Sequence, residues 1–346
     1  MVDVKRTIIR TIFGALRWSG AAAMAQPFLG GCGSILMLHH VSNANWSPLG
    51  LHSGLTITPE FLDRLLADIR RRGLAIVPMD EIPEILRAGR ARQVVAITAD
   101  DAYLDNLTEA LPVFEAHDAP FTIYVAPGLI SGETVAWWEV IEKLPLDREE
   151  LRVVLDGEET VLPCRTMAEK RAAAARLMAH LTTRVPEEEQ QAFLATLGGE
   201  MASPVRSFMN WDELRGIAAH PLVTLGAHTV HHAAVKRLDA ERALWEMEES
   251  AAILAREIGL EPRHFAFPYG HRAAAGERDF ELARRAGFAT AVTTRHGVLV
   301  PGHSAHLHAL PRVSINGNFQ SVGDVRTMMS GLTALIANRG RRLVTA

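Results

Sequence analysis

The run Val94-Val95-Ala96-Ile97-Thr98-Ala99-Asp100-Asp101 decides the fold. Its apolar residues do not alternate with polar ones, so both faces of the strand are buried, as in parallel sheets covered by helices. The strand runs straight into two adjacent carboxylates, which repel each other unless a cation or a shared proton relieves them. In parallel α/β folds the carboxyl ends of strands are where sites form. Working outward, similar segments recur at Ile35–His39, Leu74–Val77, Phe121–Val125, Val223–Ala227, His264–Phe267, Phe288–Thr293 and Leu310–Ile315. Amphipathic stretches fall between them. Thr58 caps a helix opened by Pro59, with Phe61, Leu62, Leu65, Leu66 and Ile69 on one face. Further helices are expected over residues 106–117, 211–219, 239–258 and 277–286. The alternation argues for a parallel sheet with helices outside, open or closed into a barrel. Residues 131–210, rich in Glu, Arg and Ala, break the rhythm. With Thr166 and Glu169 as a capping box, they read as a largely helical insertion over one face.

Composition narrows the function. The 346 residues carry a formal net charge of −4, which argues against a nucleic-acid-binding chain. With only Cys32 and Cys164, neither a disulfide framework nor a Cys-based zinc site is available. Histidine stands out, at 15 residues. Near the N-terminus, Lys5, Arg6 and Arg10 flank Ile8, Ile9, Ile12, Phe13 and Leu16, a basic amphipathic pattern that suits a membrane surface or packing on the domain. Ala23-Met24-Ala25 resembles a signal-peptidase site, but Arg10 and Arg17 interrupt the apolar run that a signal requires. Arg339, Arg341 and Arg342 make the C-terminus basic as well. The chain is therefore expected in the cytoplasm, peripheral to the membrane, with secretion as the alternative; no apolar run is long enough to span a bilayer.

Four further strand segments carry chemistry. Leu225-Gly226-Ala227-His228-Thr229-Val230-His231-His232 places His228 and His232 four apart, where a helical turn would bring both rings to one face. Alone the spacing is weak, but it follows an apolar strand. With one carboxylate, these imidazoles would make a three-ligand site with open positions, a hydrolytic zinc arrangement. His231 would point elsewhere. Phe265-Ala266-Phe267-Pro268-Tyr269-Gly270 ends a strand in Pro-Tyr-Gly, and Ile35-Leu36-Met37-Leu38-His39-His40 ends one in histidine. Leu310-Pro311-Arg312-Val313 sets a guanidinium in an apolar strand, and burying it requires a carboxylate partner. Each motif has a bland reading; their convergence on one rim carries the argument.

Together these motifs resemble the polysaccharide deacetylases of carbohydrate esterase family 4, the NodB-homology family. The family's Thr-Phe-Asp-Asp-Gly is matched by Thr98-Ala99-Asp100-Asp101-Ala102, its His-Ser/Thr-x-x-His by His228 to His232, and its Pro-Tyr by Pro268-Tyr269. The resemblance covers Ile35 to Ile315 and implies a distorted (β/α)7 barrel. It implies that Asp101, His228 and His232 bind a divalent metal ion, with Zn2+ favoured and Co2+, Ni2+ or Fe2+ as alternatives. It makes Asp100 the general base and the Tyr269 backbone N–H an oxyanion donor. The implied substrate is an N-acetylated glycan or glycolipid; the alternatives are a deformylase or deacetylase of a lipid-linked monosaccharide and a catalytically silent sugar-binding barrel.

The departures matter. Ala99 and Ala102 replace the family's Phe and Gly, and Ala266 stands where an Arg usually precedes the Pro-Tyr pair. Arg312 is expected to supply that charge and orient Asp100. The C-terminal Leu-x-His is not matched by Leu307-His308, so His39 is assigned as general acid, as in a branch that takes this histidine from an N-terminal strand, with His308 in reserve. Trp137, Trp138 and Trp46 would stack on sugar rings or pack the core. His303 and His306 read as surface or loop residues. The expected organisation is a basic segment at 1–34, the deacetylase domain at 35–320 with its insertion at 131–210, and a C-terminal helix and basic tail at 321–346.

Overall fold

The computed structural model describes residues 11, 14, 16, 18–89, 93–197 and 206–345. The basic amphipathic reading of the N-terminus rests mainly on Lys5, Arg6, Ile8, Ile9, Arg10, Ile12 and Phe13, which lie outside the described residues.

Among the described residues, seven parallel strands close on themselves: β1 Gly33–Leu38, β2 Val94–Ala99, β3 Phe121–Val125, β4 Val223–Ala227, β5 His264–Ala266, β6 Thr290–His296 and β7 Leu310–Ser314. The ring shuts because β1 pairs with β2 from Gly33↔Val94 to Leu38↔Ala99 on one side and with β7 through Leu36↔Val313 on the other. This is the distorted (β/α)7 barrel. The expected strand at Leu74–Val77 is the short Ala75–Ile76, which pairs with the start of β2 and lies outside the ring.

Doubly buried strands make two cores. Leu36, Leu38, Val95, Ile97 and Ile123 pack with helix faces such as Phe61, Leu62, Leu65 and Leu66. Alternate residues, among them Ile35, Ala96, Tyr124, Ala266, Val292 and Leu310, form a second cluster closed by Met79, Ile82, Ile85 and Leu86. Helix α1, Pro59–Arg71, begins as expected: the Thr58 side chain accepts a hydrogen bond from Phe61 N at 3.2 Å. The expected helices over 211–219, 239–258 and 277–286 are Trp211–Ala218, Ala240–Ile258 and Glu277–Arg285.

Between β3 and β4 the chain leaves the barrel. Trp137–Lys143, Met167–Thr183 and Gln190–Thr196 are helical, and Thr166 and Glu169 form the expected reciprocal cap. Helices predominate in this segment as expected, and an antiparallel hairpin that was not expected, Glu150–Leu155 with Glu158–Pro163, lies among them. Leu151, Val153 and Leu155 face its core and alternate with exposed residues. The hairpin turns on Asp156 and Gly157, both with positive φ, as a type I′ turn requires.

Candidate active site

The convergence has a simple origin. Parallel strands all point their carboxyl ends the same way, so the residues just past β1, β2, β4 and β5 share one rim. There stand His39, Asp100 with Asp101, His228, and Pro268 with Tyr269.

Asp101, His228 and His232 each offer one ligand atom, and these atoms lie within 4.8 Å of one another, all on buried residues. Asp101 Oδ1 is 3.2 Å from His232 Nε2 and 3.5 Å from His228 Nε2, and it is a buried oxygen with no hydrogen-bond partner. Such an orphan is costly in an apolar interior and is what a cation would satisfy. His228 Nδ1 lies 2.7 Å from the Ala266 carbonyl, which accepts a hydrogen bond from the Nδ1–H tautomer and leaves the Nε2 lone pair for the site. These residues fit a divalent metal.

The two histidines do not meet on a helical turn. Residues 228–232 form a bend in which Thr229 and His232 have left-handed backbones, with φ of 58° and 54°. Glu246, buried on the helix Ala240–Ile258, holds this bend: its Oε2 accepts from Val230 N at 2.9 Å and His231 N at 3.0 Å. Its Oε1 meets His231 Nδ1 at 2.7 Å and accepts from Arg242 at 2.8 Å, so His231 turns away from the triad as expected. Among the described residues, eight non-glycine residues have positive φ, and five of them, Asp101, Ala102, Thr229, His232 and Tyr269, belong to these motifs. Such concentrated strain marks functional geometry.

Asp100 receives both arms of a guanidinium. Arg312 Nη1 and Nη2 donate to its two oxygens at 2.7 Å each, while Arg312 Nε and Nη1 also donate to the Thr293 carbonyl and to Thr98 Oγ1. Burial alone would raise the Asp100 pKa, but the charge and hydrogen bonds of Arg312 outweigh it and hold the carboxyl below its ordinary value. Burial likewise acts against ionised Asp101, and His232 and His228 reverse it, leaving that pKa well below normal. His39 sits beside Asp100 because Asp100 N donates to the Leu38 carbonyl at 3.0 Å. Burial lowers the His39 pKa more than the two aspartates raise it.

His308 does not reach this rim. Its Nε2 lies 2.7 Å from the Phe288 carbonyl, just before β6 begins, so it belongs to the opposite end of the barrel. His303, expected at the surface or in a loop, lies in the connecting turn Pro301–Ala305 but is fully buried there and bonded to the backbone of Val300.

Tyr269 has φ 59°, and Gly270 behind it leaves no room for a Cβ against Thr294. Its ring meets His232 edge-on at 4.8 Å, and its hydroxyl accepts from Trp137 Nε1 at 2.8 Å. Trp138 lies 4.8 Å from the His232 ring and donates to the Tyr103 hydroxyl at 3.0 Å. Both tryptophans are less than a tenth exposed, so they mainly fasten the insertion to the site. Trp46 stacks on His40 at 4.8 Å. A cleft of ≈ 380 Å³ opens beside His232 and Tyr269, walled by Trp137, Trp138, Glu187 and Gln190.

Comparison with known proteins agrees with this geometry. Residues 172–291 match the family model for polysaccharide deacetylase, a span that holds the His228–His232 and Pro268-Tyr269 motifs. Over this stretch the chain is similar to the polysaccharide deacetylase family. Solved structures with the same fold include a deacetylase from Streptococcus pyogenes in complex with acetate, at TM-score 0.58 and 17% identity over 86% of this chain and 97% of that one. IcaB from Ammonifex degensii aligns at TM-score 0.53 and 19% identity over 87% and 98%. A polysaccharide deacetylase from Bacillus cereus aligns at TM-score 0.55 and 13% identity over 86% and 68%. At these identities the likeness establishes the fold. A search of curated proteins finds no match.

Three residues around the candidate site were not read from sequence. Glu246 had a signal, a carboxylate among the apolar positions Ala243, Met247 and Leu254 of its helix. Asp105 and Asn106 had none. Asp105 accepts from Val41 N at 3.2 Å and meets His40 Nδ1 at 2.6 Å, while Asn106 donates to the His39 carbonyl at 2.7 Å. Together they clamp the peptide that carries His39.

Proposed function

We propose that the protein hydrolyses the N-acetyl group of an amino sugar in a polysaccharide, oligosaccharide or glycolipid, releasing acetate, and that it depends on a divalent metal ion. The observation that carries this reading is the juxtaposition, on one rim, of the Asp101–His228–His232 triad and an Asp100 carboxylate gripped by Arg312. Asp101, His228 and His232 would hold the ion, and a His2Asp set suits Zn2+, with Co2+, Ni2+ or Fe2+ as alternatives. Bound there, a divalent ion supplies Lewis acidity toward the amide carbonyl and acidifies water.

The chain's own residues do the rest. Asp100, kept ionised by Arg312, accepts the proton of the attacking water at a carboxylate oxygen. Arg312 fixes the direction of that carboxylate through its paired bonds. The Tyr269 N–H would donate to the oxygen that gains charge as the carbonyl becomes tetrahedral. His39, across the β1–β2 ladder from Asp100, delivers a proton to the departing amine nitrogen. The cleft beside Tyr269 receives the sugar.

The test is mass spectrometry of acetylated glycans and glycolipids incubated with metal-loaded protein, with Asp100→Asn as control. Loss of acetyl with wild type alone supports the reading and narrows the substrate. No loss from any candidate, or equal loss with Asp100→Asn, overturns it.

A further inference from the structure

The amino-terminal helix and the C-terminal tail form a corner of the molecule that the candidate site does not use. In the helix Ala21–Leu29, Ala23, Met24, Pro27 and Phe28 are exposed, a spacing that puts them on one helical face. Met24 is 69% exposed and Phe28 75%. The helix Leu332–Ala337 packs beside it: Gly331 sits so close to the Leu29 carbonyl that no Cβ would fit. That second helix turns Ile336 outward, 56% exposed, and Leu343 follows in the tail. Arg342 ties the two together, donating to the Phe28 carbonyl at 2.8 Å, and Arg339 and Arg341 are exposed nearby.

Charge is distributed unevenly along the chain. The whole chain is net acidic, yet residues 4–59 contain no Asp or Glu and include Lys5, Arg6, Arg10 and Arg17. Residues 325–346 also contain no acid and carry Arg326, Arg339, Arg341 and Arg342. Arg326 is paired with Asp68, but an apolar stripe bordered by the exposed Arg339, Arg341 and Arg342, in a segment without acids, fits an interface that is greasy inside and anionic outside. A protein partner of ordinary composition would call for acid–base pairing of both signs. No described helix is long and apolar enough to cross a membrane. We infer that this corner docks on the surface of an anionic lipid bilayer, with Met24, Phe28, Ile336 and Leu343 entering the headgroup region and Arg339, Arg341 and Arg342 meeting lipid phosphates.

The experiment is flotation of the full chain with vesicles of phosphatidylcholine alone and of phosphatidylcholine with phosphatidylglycerol. Wild type should float with the anionic vesicles only, and less as salt rises. Arg339→Gln, Arg341→Gln and Arg342→Gln should each lower the partition coefficient about fivefold. The double variant Phe28→Ser, Ile336→Ser should abolish flotation at unchanged circular dichroism. If that variant loses its fold, the arginine series decides alone. The proposal is overturned if wild type does not float, or if floating survives these changes and is lost only when residues 1–17 are deleted. It is also overturned if wild type sediments as a dimer that Phe28→Ser dissociates without vesicle binding.

Discussion

Among the described residues, Arg312 is the bulkiest fully buried side chain, and its charge is answered by one carboxylate. Removing one member of such a pair leaves the other charge stranded, at a cost of about 3–5 kcal/mol. Arg312→Leu should therefore lower the urea midpoint and reduce acetate release strongly even where the protein remains folded. Arg312→Lys keeps the charge but loses the two-pronged grip, so it should recover stability better than turnover. Wild-type turnover in the leucine variant would refute the orienting role. This pairing was partly legible in the sequence, because a guanidinium in an apolar strand demands an anion. That the anion is Asp100 was expected only through the resemblance, from the Arg missing at Ala266, and the contact itself has a structural cause. It follows from β7 closing against β1, which brings residues 212 positions apart into contact. Ala102 shows the reverse case: it holds φ 55° where the family motif has glycine, at a strain of about 1 kcal/mol, and nothing in its identity announces that backbone.

At the scale of elements, the parallel strands were the most legible part, because burial on both faces leaves an uninterrupted apolar run. The hairpin in the insertion was overlooked although Asp156-Gly157 between alternating apolar residues is a hairpin signal; the Glu, Arg and Ala content around it pointed the other way. The His228–His232 bend was invisible in kind, since a four-residue spacing suits a helical turn and only the packing of Glu246 shows a loop. That loop makes a prediction. Glu246→Ala frees the two amides that fix the bend, and metal affinity measured against a competing chelator should fall about 10–100-fold. Unchanged affinity would show that the bend holds its shape without Glu246. The clamp on the β1 end makes another. Asn106→Ala removes the bond to the His39 carbonyl and should cost about 1 kcal/mol of stability. If that bond positions His39, kcat falls by more than KM changes; a loss confined to stability would assign Asn106 a packing role.

For the molecule as a whole, a metal ion satisfying the orphaned Asp101 oxygen would couple folding to its binding. A ligand that binds only the folded state raises its stability by mass action. Chelation should lower Tm and added Zn2+ should restore it; a Tm indifferent to both would mean that the triad holds no ion. Two buried histidines contribute to the acid side of the stability curve. Burial pushes His296 and His303 down to about 4. Below the ordinary histidine value, near 6.5, the unfolded chain takes up protons that the folded chain refuses. Their contribution is therefore complete above that value and declines as pH falls toward 4, by about 1.4 kcal/mol per unit for each site. His303→Gln should flatten Tm against pH between those limits, and an unaltered slope would remove His303 from the account.

Closure of the barrel has a mechanical consequence for the chemistry. His39 and Asp100 each extend a strand of one hydrogen-bonded ladder, in register to Leu38↔Ala99. Their separation is thus set by the spacing between neighbouring strands, about 4.8 Å, and not by loops that can drift. Heating should leave donor and acceptor moving as one body until the ladder itself parts. Thermal inactivation and loss of the barrel's circular dichroism should then fall on the same curve, with no range in which a folded protein has lost its alignment.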